Sequence, residues 1–281
     1  MNYRHAFHAG NFADVVKHAI LTRIILHLQK KDAAFRVIDT HAGTGRYNLQ
    51  GNEAIRGGEW HGGIGRVLMH SFPSDVATLL APYRDAIKSF NPDGALKTYP
   101  GSPLLVRHLL RPQDRLIACE LETGAAQSLA RLLHRDPIAK AIAIDGWTAL
   151  NAYIPPKEKR GLVLIDPPYE ERGELKRLAD ALATAHRKWS TGTFVAWYPI
   201  KETREIIDFV KLLEKHKIAD TLRIELIRSS IDDGKLRGTG LIIINPPWTL
   251  ADEAKVMLPA LGKVFWPDDK ATTIITPVYA T

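Results

Sequence analysis

Asp166-Pro167-Pro168-Tyr169 follows directly on the apolar run Leu162-Val163-Leu164-Ile165. A carboxylate, two prolines and an aromatic ring in that order suit the handling of an exocyclic amine on an aromatic base. Such an amine is a poor nucleophile, because its lone pair is delocalised into the ring. Hydrogen bonds from the NH2 to Asp166 and to the rigid backbone carbonyl of Pro167 would localise the lone pair and aim it. Tyr169 offers a stacking face, worth about 1–3 kcal/mol per base in proteins that bind single strands. The bland alternative is a Pro-Pro turn that ends a strand. A second tetrapeptide, Asn245-Pro246-Pro247-Trp248, also follows an apolar run, Leu241–Ile244.

A glycine-rich loop lies earlier: Asp39-Thr40-His41-Ala42-Gly43-Thr44-Gly45 follows Phe35-Arg36-Val37-Ile38. Glycines such as Gly43 let the backbone turn tightly and approach a ligand, with an acid at the loop's start. A dinucleotide fingerprint needs Gly or Ala where this chain has Asn48, so NAD and FAD are disfavoured. The loop is more similar to the first motif of S-adenosylmethionine-dependent methyltransferases. That likeness implies that Glu120, after Leu116-Ile117-Ala118-Cys119, bonds the cofactor's ribose. It places Asp145-Gly146, after Ala141–Ile144, at the adenine edge. Taken singly, each acid reads more simply as a helix cap or a solvated loop residue. Asp166 ends the fourth such run, and the series favours a ligand.

Something must gather these acids. Short continuous apolar runs suit strands buried on both faces, as in parallel sheets covered by helices. Acids at the carboxyl ends of such strands stand where open α/β sheets bind ligands. Helical patterns alternate with the runs. Asn11 caps a helix over 12–30, Ser102 or Pro103 opens one through Leu110, and 123–134 carries Ala126, Leu129, Ala130 and Leu133 on one stripe. From Asp39 to Glu120 the step is 81 residues, against roughly 30 for a strand-helix-strand unit. The excess reads as an inserted small helical subdomain, 49–98, with helical pieces Ser74 to Leu80 and Pro82 to Phe90, Pro82 opening the second. Its five Lys/Arg and five Asp/Glu between residues 52 and 98 make no obvious footprint for nucleic acid.

Thr193 to Tyr198 reads as a strand and 201–217 as an amphipathic helix. Leu222–Ile227 and Leu241–Ile244 should pair as an antiparallel hairpin. The expected fold is α/β and Rossmann-like: a doubly wound, mostly parallel seven-stranded sheet with an antiparallel last strand and a small helical insertion. The parent domain comprises 1–48 and 99–281. An antiparallel last strand sends Asn245 to the edge away from the ligand, so its tetrapeptide reads as a structural turn.

Composition narrows the class. The 281 residues are 45% hydrophobic and 25% charged, an ordinary globular balance. A net charge of +7 leans towards an acidic partner, nucleic acid being the commonest. The single Cys119 excludes an internal disulfide and any Cys-based zinc site. The N-terminus lacks the apolar core of a signal peptide, and no apolar stretch is long enough to cross a bilayer. A soluble cytoplasmic protein is expected.

Tyr3, His5, His8, Asn11, Asp14, Lys17 and His18 crowd the N-terminus. Asp14, Lys17 and His18 share one helix face at i, i+3 and i+4. They match no metal-ligand spacing, and by spacing alone they describe a solvated charged face. Longer stretches say more: Tyr-Arg-His-x-Phe-His-Ala-Gly-Asn at 3–11, Ala-Asp-Val-x-Lys-His at 13–18, Asp-Thr-His-Ala-Gly at 39–43, Tyr-Pro-Gly-Ser-Pro at 99–103, Arg-Gly-Leu-x-Leu-Ile-Asp-Pro-Pro-Tyr-Glu at 160–170, Trp-Tyr-Pro at 197–199 and Ile-Asn-Pro-Pro-Trp at 244–248. On these the chain resembles, almost end to end, the ribosomal large subunit methyltransferase J family, adenine-N6 methyltransferases of 23S rRNA.

The resemblance implies S-adenosyl-L-methionine as cofactor, held by His18, His41, Ser102, Glu120, Asp145, Gly146 and Asp166. It implies Asp166 as proton acceptor, and substrate contacts from Tyr3, His5 and Lys17. The implied partner is 23S rRNA, naked or in an assembly intermediate, met by a monomer without metal or membrane. Similar tetrapeptides serve DNA adenine and protein glutamine methyltransferases, and the family has carried a label for use of external DNA. Those are the rival readings.

Overall fold

The computed structural model describes residues 4–230 and 236–278, so Tyr3 lies outside the described residues. The first half of the chain forms α1 (Phe12–Gln29), β1 (Arg36–Asp39), β2 (Arg46–Asn48), α2 (Asn52–Gly57), α3 (Arg66–Met69), α4 (Ser74–Ser89), β3 (Thr98–Pro100), α5 (Ser102–Leu109), β4 (Arg115–Glu120), α6 (Thr123–Leu132), β5 (Ala139–Ala143) and α7 (Gly146–Ala152). The second half continues as β6 (Gly161–Ile165), α8 (Glu174–Lys188), β7 (Thr193–Ile200), α9 (Thr203–His216), β8 (Thr221–Arg228), β9 (Gly238–Ile244), α10 (Leu250–Phe265) and β10 (Ala271–Pro277).

β1 pairs in parallel with β4 on one side and β6 on the other; β5 and β7 extend the two sides, also in parallel. The chain works outward from β1 in one direction, then crosses over and works outward in the other. That reversal puts the switch point at the carboxyl end of β1. β9 runs antiparallel between β7 and β8, as the hairpin reading requires. Among the described residues the sheet has eight strands, in the order β10-β8-β9-β7-β6-β1-β4-β5, one more than the expected seven. The addition is β10, antiparallel beside β8 at the edge. Its Ala-Thr-Thr-Ile-Ile-Thr-Pro sequence is only half-buried and lacks the unbroken apolar run of an inner strand.

Alternate residues of the central strands feed two cores. Val37, Leu162 and Leu164 join one buried cluster with α1, α4, α5 and α10. Ile38, Val163 and Ile165 join another with α8 and α9. Asn11 caps α1 as expected, accepting from the Asp14 amide at 2.9 Å. Wedged between neighbouring helices and the sheet, α1 is buried from Ala13 to Thr22 without a break. Its polar residues are therefore buried too: Asp14 is 2% exposed, Lys17 4% and His18 1%. The solvated-face reading of these three is overturned.

The stretch 49–98, read from the sequence as an insertion, shares its core with the rest of the chain among the described residues. Ile64, Val67, Leu80 and Tyr83 join the cluster beneath α1 and α10, and β2 pairs with β3 at its neck. α4 runs unbroken through Pro82 instead of forming two pieces. A proline inside a helix costs about 3 kcal/mol or more. Val76, Leu80, Tyr83 and Ile87, buried at helical spacing, offset that at about 1.5–3 kcal/mol per large side chain.

Candidate active site

The carboxyl ends of β1, β4 and β6 open on a cleft of about 620 Å³. After β1 the loop turns through left-handed glycines, Gly43 at φ 60° and Gly45 at φ 77°. A Cβ on Gly43 would lie 2.3 Å from the Tyr47 hydroxyl, so the turn needs glycine. The Gly43 amide donates to Glu120 at 2.8 Å, tying the loop to the end of β4. The other Glu120 oxygen accepts the Leu121 and Glu122 amides, each at 2.8 Å. Asp145 caps α7, accepting the Thr148 amide at 2.8 Å and hydroxyl at 2.9 Å. Gly146 leaves room for His41: an added Cβ would meet its Nε2 and the Thr40 carbonyl at 2.5 Å. Burial pushes His41 down to about 4, so it is neutral. Trp147 meets His41 edge-on at 5.6 Å, with the Arg177 guanidinium 4.7 Å above its ring.

On the opposite wall a chain of charges leads to Asp166. Asp14 accepts from Lys17 Nζ at 2.8 Å, from the Gly10 amide at 2.9 Å and pairs with His5 Nε2 at 3.0 Å. The Lys17 ammonium also pairs with Asp166. Burial works against the charge on Lys17, but the two carboxylates outweigh it and hold Lys17 above the ordinary lysine range. Burial works against the charge on Asp14 as well, yet Lys17 and His5 hold it well below the carboxylate range. The segment before α1 is clamped by the insertion: His8 and Asn11 both reach Glu59, at 2.8 and 2.9 Å, and the Ile64 amide donates to the Gly10 carbonyl at 2.9 Å.

Two buried polar atoms near this cleft have no hydrogen-bond partner among the described residues: His18 Nε2, on a residue that lines the cleft, and Asp39 Oδ1, on a residue behind the cleft-lining Ser102. Asp39 accepts from the Ser102 hydroxyl at 2.6 Å through its other oxygen. Burial, only partly offset by that hydroxyl, pushes Asp39 up to about 7. Burial pushes His18 down to about 3.

The residues singled out from sequence mostly converge. His5, Lys17, His18, His41, Gly43, Ser102, Glu120, Asp145, Gly146, Asp166 and Pro167 all line the cleft. Tyr169 does not. Its backbone is left-handed, φ 53°, and its hydroxyl donates to the Trp197 carbonyl, with the rings edge to face at 5.5 Å. Asp14, Asp39, Tyr99, Trp147 and Arg177 were not assigned roles from sequence. Asp14 and Tyr99 sit inside motifs that carry the family resemblance; Trp147 and Arg177 carry no local signal. Among the described residues no group of His, Cys, Asp or Glu is placed to hold a metal ion. Nor is any of their helices long and apolar enough to cross a membrane.

A doubly wound sheet with an acid-lined cleft at its switch point, and Asp-Pro-Pro at the end of an inner strand, marks an α/β methyltransferase. The chain belongs to the family described as "Ribosomal RNA large subunit methyltransferase D, RlmJ", whose model matches residues 32–275. It is 40% identical to the "Ribosomal RNA large subunit methyltransferase J" of Escherichia coli (strain K12) over 93% of this chain and 92% of that one. It is 39% identical to the protein of the same name from Haemophilus influenzae over 95% of each. The crystal structure of a Legionella pneumophila protein, 37% identical, superposes with a TM-score of 0.88 over 96% of this chain and 98% of that one.

Proposed function

We propose that this protein transfers a methyl group from S-adenosylmethionine to the N6 amine of an adenine in 23S rRNA, in the cytoplasm. The observation that carries the reading is the placement of Asp166-Pro167 at the end of β6, opening on the same cleft as Glu120 and Asp145. The residues fit the cofactor. Glu120 and Asp145 supply acceptors for ribose hydroxyls and an adenine edge, Gly146 and His41 shape the wall, and His18 Nε2 has no partner among the described residues. When bound, S-adenosylmethionine supplies an electrophilic methyl on a sulfonium, so direct in-line displacement needs no covalent intermediate.

Charge supports the same assignment. Eight carboxylates line the cleft against three Lys or Arg side chains among the described residues, on a chain of net charge +7. The cleft favours a cation, and the positive surplus lies outside it, where a phosphate backbone would run. The adenine must leave its stack to enter. Asp166 and the Pro167 carbonyl then hold its NH2, and Asp166 accepts the proton released when the N–C bond forms. Lys17 yields its hold on Asp166 to the incoming amine and keeps its second partner, Asp14. His5 and Lys17 flank the base, and Tyr169 steadies the turn through Trp197. Nucleoside digests of 23S rRNA from cells with and without the protein test the reading. A loss of N6-methyladenosine supports it; an unchanged rRNA digest with a changed DNA or protein digest overturns it.

A further inference from the structure

A buried chain of hydroxyls reaches the cleft from the insertion. Tyr83, on α4, and Tyr99, on β3, are both fully buried. Their hydroxyls lie 3.0 Å apart, and the Tyr99 hydroxyl lies 2.7 Å from His18 Nδ1. The Tyr99 and His18 rings stack, 22° from parallel. His18 lines the cleft, and its other nitrogen, Nε2, is buried without a partner among the described residues.

Three proton arrangements satisfy these distances. In the first, Tyr83 donates to Tyr99, Tyr99 donates to Nδ1, and the imidazole proton sits on Nε2. In the second, Nδ1–H and the Tyr83 O–H both donate to Tyr99, whose own O–H then has no acceptor. In the third, Nδ1–H donates to Tyr99 and Tyr99 donates to Tyr83. The Tyr83 O–H is then aimed at nothing, since its hydroxyl meets no group but Tyr99 among the described residues. A buried donor without an acceptor bears the full cost of its desolvation. Each arrangement leaves one donor over; only the first uses every buried O–H and leaves that donor on Nε2, beside the cleft, where a ligand can accept it.

We infer that Tyr83 and Tyr99 are positioning residues that fix His18 as its Nε2–H tautomer, so that the cleft is offered a neutral hydrogen-bond donor. Such a donor takes an oxygen acceptor and rejects an ammonium. Applied to the function proposed above, and resting on it, the acceptor is the carboxylate at the amino-acid end of the cofactor. The tautomer itself does not rest on that reading. Tyr83 lies in the insertion, so this part of the fold sets the polarity of the cleft wall without touching the ligand.

The test uses the full chain, unliganded and labelled with 15N-histidine, with His18 assigned by its loss in His18→Gln. We expect a wild-type His18 protonated at Nε2 and bare at Nδ1. Tyr99→Phe should shift it towards a mixture of tautomers, and Tyr83→Phe should do so less. A wild-type His18 protonated at Nδ1 overturns the inference, and so does an unchanged tautomer in both folded variants. If neither variant folds, the wild-type spectrum decides. Calorimetry with S-adenosylmethionine adds a second readout. Tyr99→Phe should bind about tenfold more weakly, while the affinity for the decarboxylated cofactor stays as in wild type. No binding by wild type, with the tautomer as stated, would sink the cofactor assignment and leave the inference standing.

Discussion

Two tetrapeptides of one pattern, Asp166-Pro167-Pro168-Tyr169 and Asn245-Pro246-Pro247-Trp248, end two apolar strands and meet opposite fates. β6 runs with the parallel set and delivers Asp166 to the cleft. β9 runs against it and delivers Asn245 to the other edge, beside the start of β7. There Asn245 is spent on the fold: its side-chain NH2 donates to the Ser190 and Gly192 carbonyls at 2.8 and 2.7 Å, and its carbonyl accepts from Thr193 at 3.1 Å. Each turn holds one left-handed residue, Tyr169 at φ 53° and Asn245 at φ 52°. Asn adopts that region readily, whereas a bulky ring there is strained by about 1–3 kcal/mol, a kind of strain found at functional sites. Trp248 is 82% exposed, while Tyr169 is tied to Trp197. A motif acquires chemistry from the sheet edge it reaches.

Substitutions can break this contrast. Asp166→Ala should lower single-turnover methylation of rRNA by about 10²–10⁴-fold, the range for a group that handles the proton. Asn245→Ala should leave the rate per folded molecule near wild type. The reverse pattern would mean that the chemistry belongs to the other tetrapeptide.

Asp14→Ala probes the charges behind Asp166. Removing one member of a buried ionic cluster costs about 3–5 kcal/mol, read as a lower denaturation midpoint. Lys17→Ala should slow methylation strongly at saturating cofactor while affecting cofactor affinity less than His18→Ala does. Equal rates for wild type and Lys17→Ala would return α1 to a purely structural part.

At the opposite edge, Asn245→Ala should destabilise by about 0.5–1.5 kcal/mol, because the exposed Ser190 carbonyl and the part-buried Gly192 carbonyl lose their donor. That loss should not change with pH. The cleft behaves otherwise. The folded value of His18 is depressed to about 3 from an ordinary 6.5, so the unfolded chain binds the extra proton. Stability from a neutral His18 is complete above about pH 6.5 and is lost as pH falls towards 3, by at most about 1.4 kcal/mol per pH unit. Denaturant melts at pH 7.5 and pH 5 should find the gap between wild type and His18→Gln narrowing at the lower pH, and that of Asn245→Ala constant. Smallest of all, Trp248→Ala should change stability by no more than about 0.5 kcal/mol. Tyr169→Phe, which loses a hydrogen bond, should cost about 0.5–1.5 kcal/mol.

Much of the scaffold was legible in the chain. Acid-ended apolar runs marked β1, β4, β5 and β6, and Asn11 marked the start of α1. These are local signals, written by backbone preference and by burial on two faces. Elements under weaker local control escaped. α4 continues through Pro82 because its apolar stripe is buried against α1 and α10, and β10 is an edge strand with no unbroken apolar run.

At the site, the sequence by itself determined which residue types were available and which stood at strand ends. Tertiary structure decided their states. Asp14, Lys17 and His18 share a spacing that suits a wet helix face equally well, and only packing on both sides of α1 turned it into a buried charge cluster. His18 and Tyr99 are 81 positions apart, and no local pattern states that a hydroxyl from beyond the insertion will meet an imidazole. Tyr169 turned inward because a left-handed backbone and the Trp197 carbonyl together outweighed its freedom to face the cleft. Periodicity reports which side of an element is apolar; long-range contact decides what lies opposite, and with it the charge, tautomer and reach of each group.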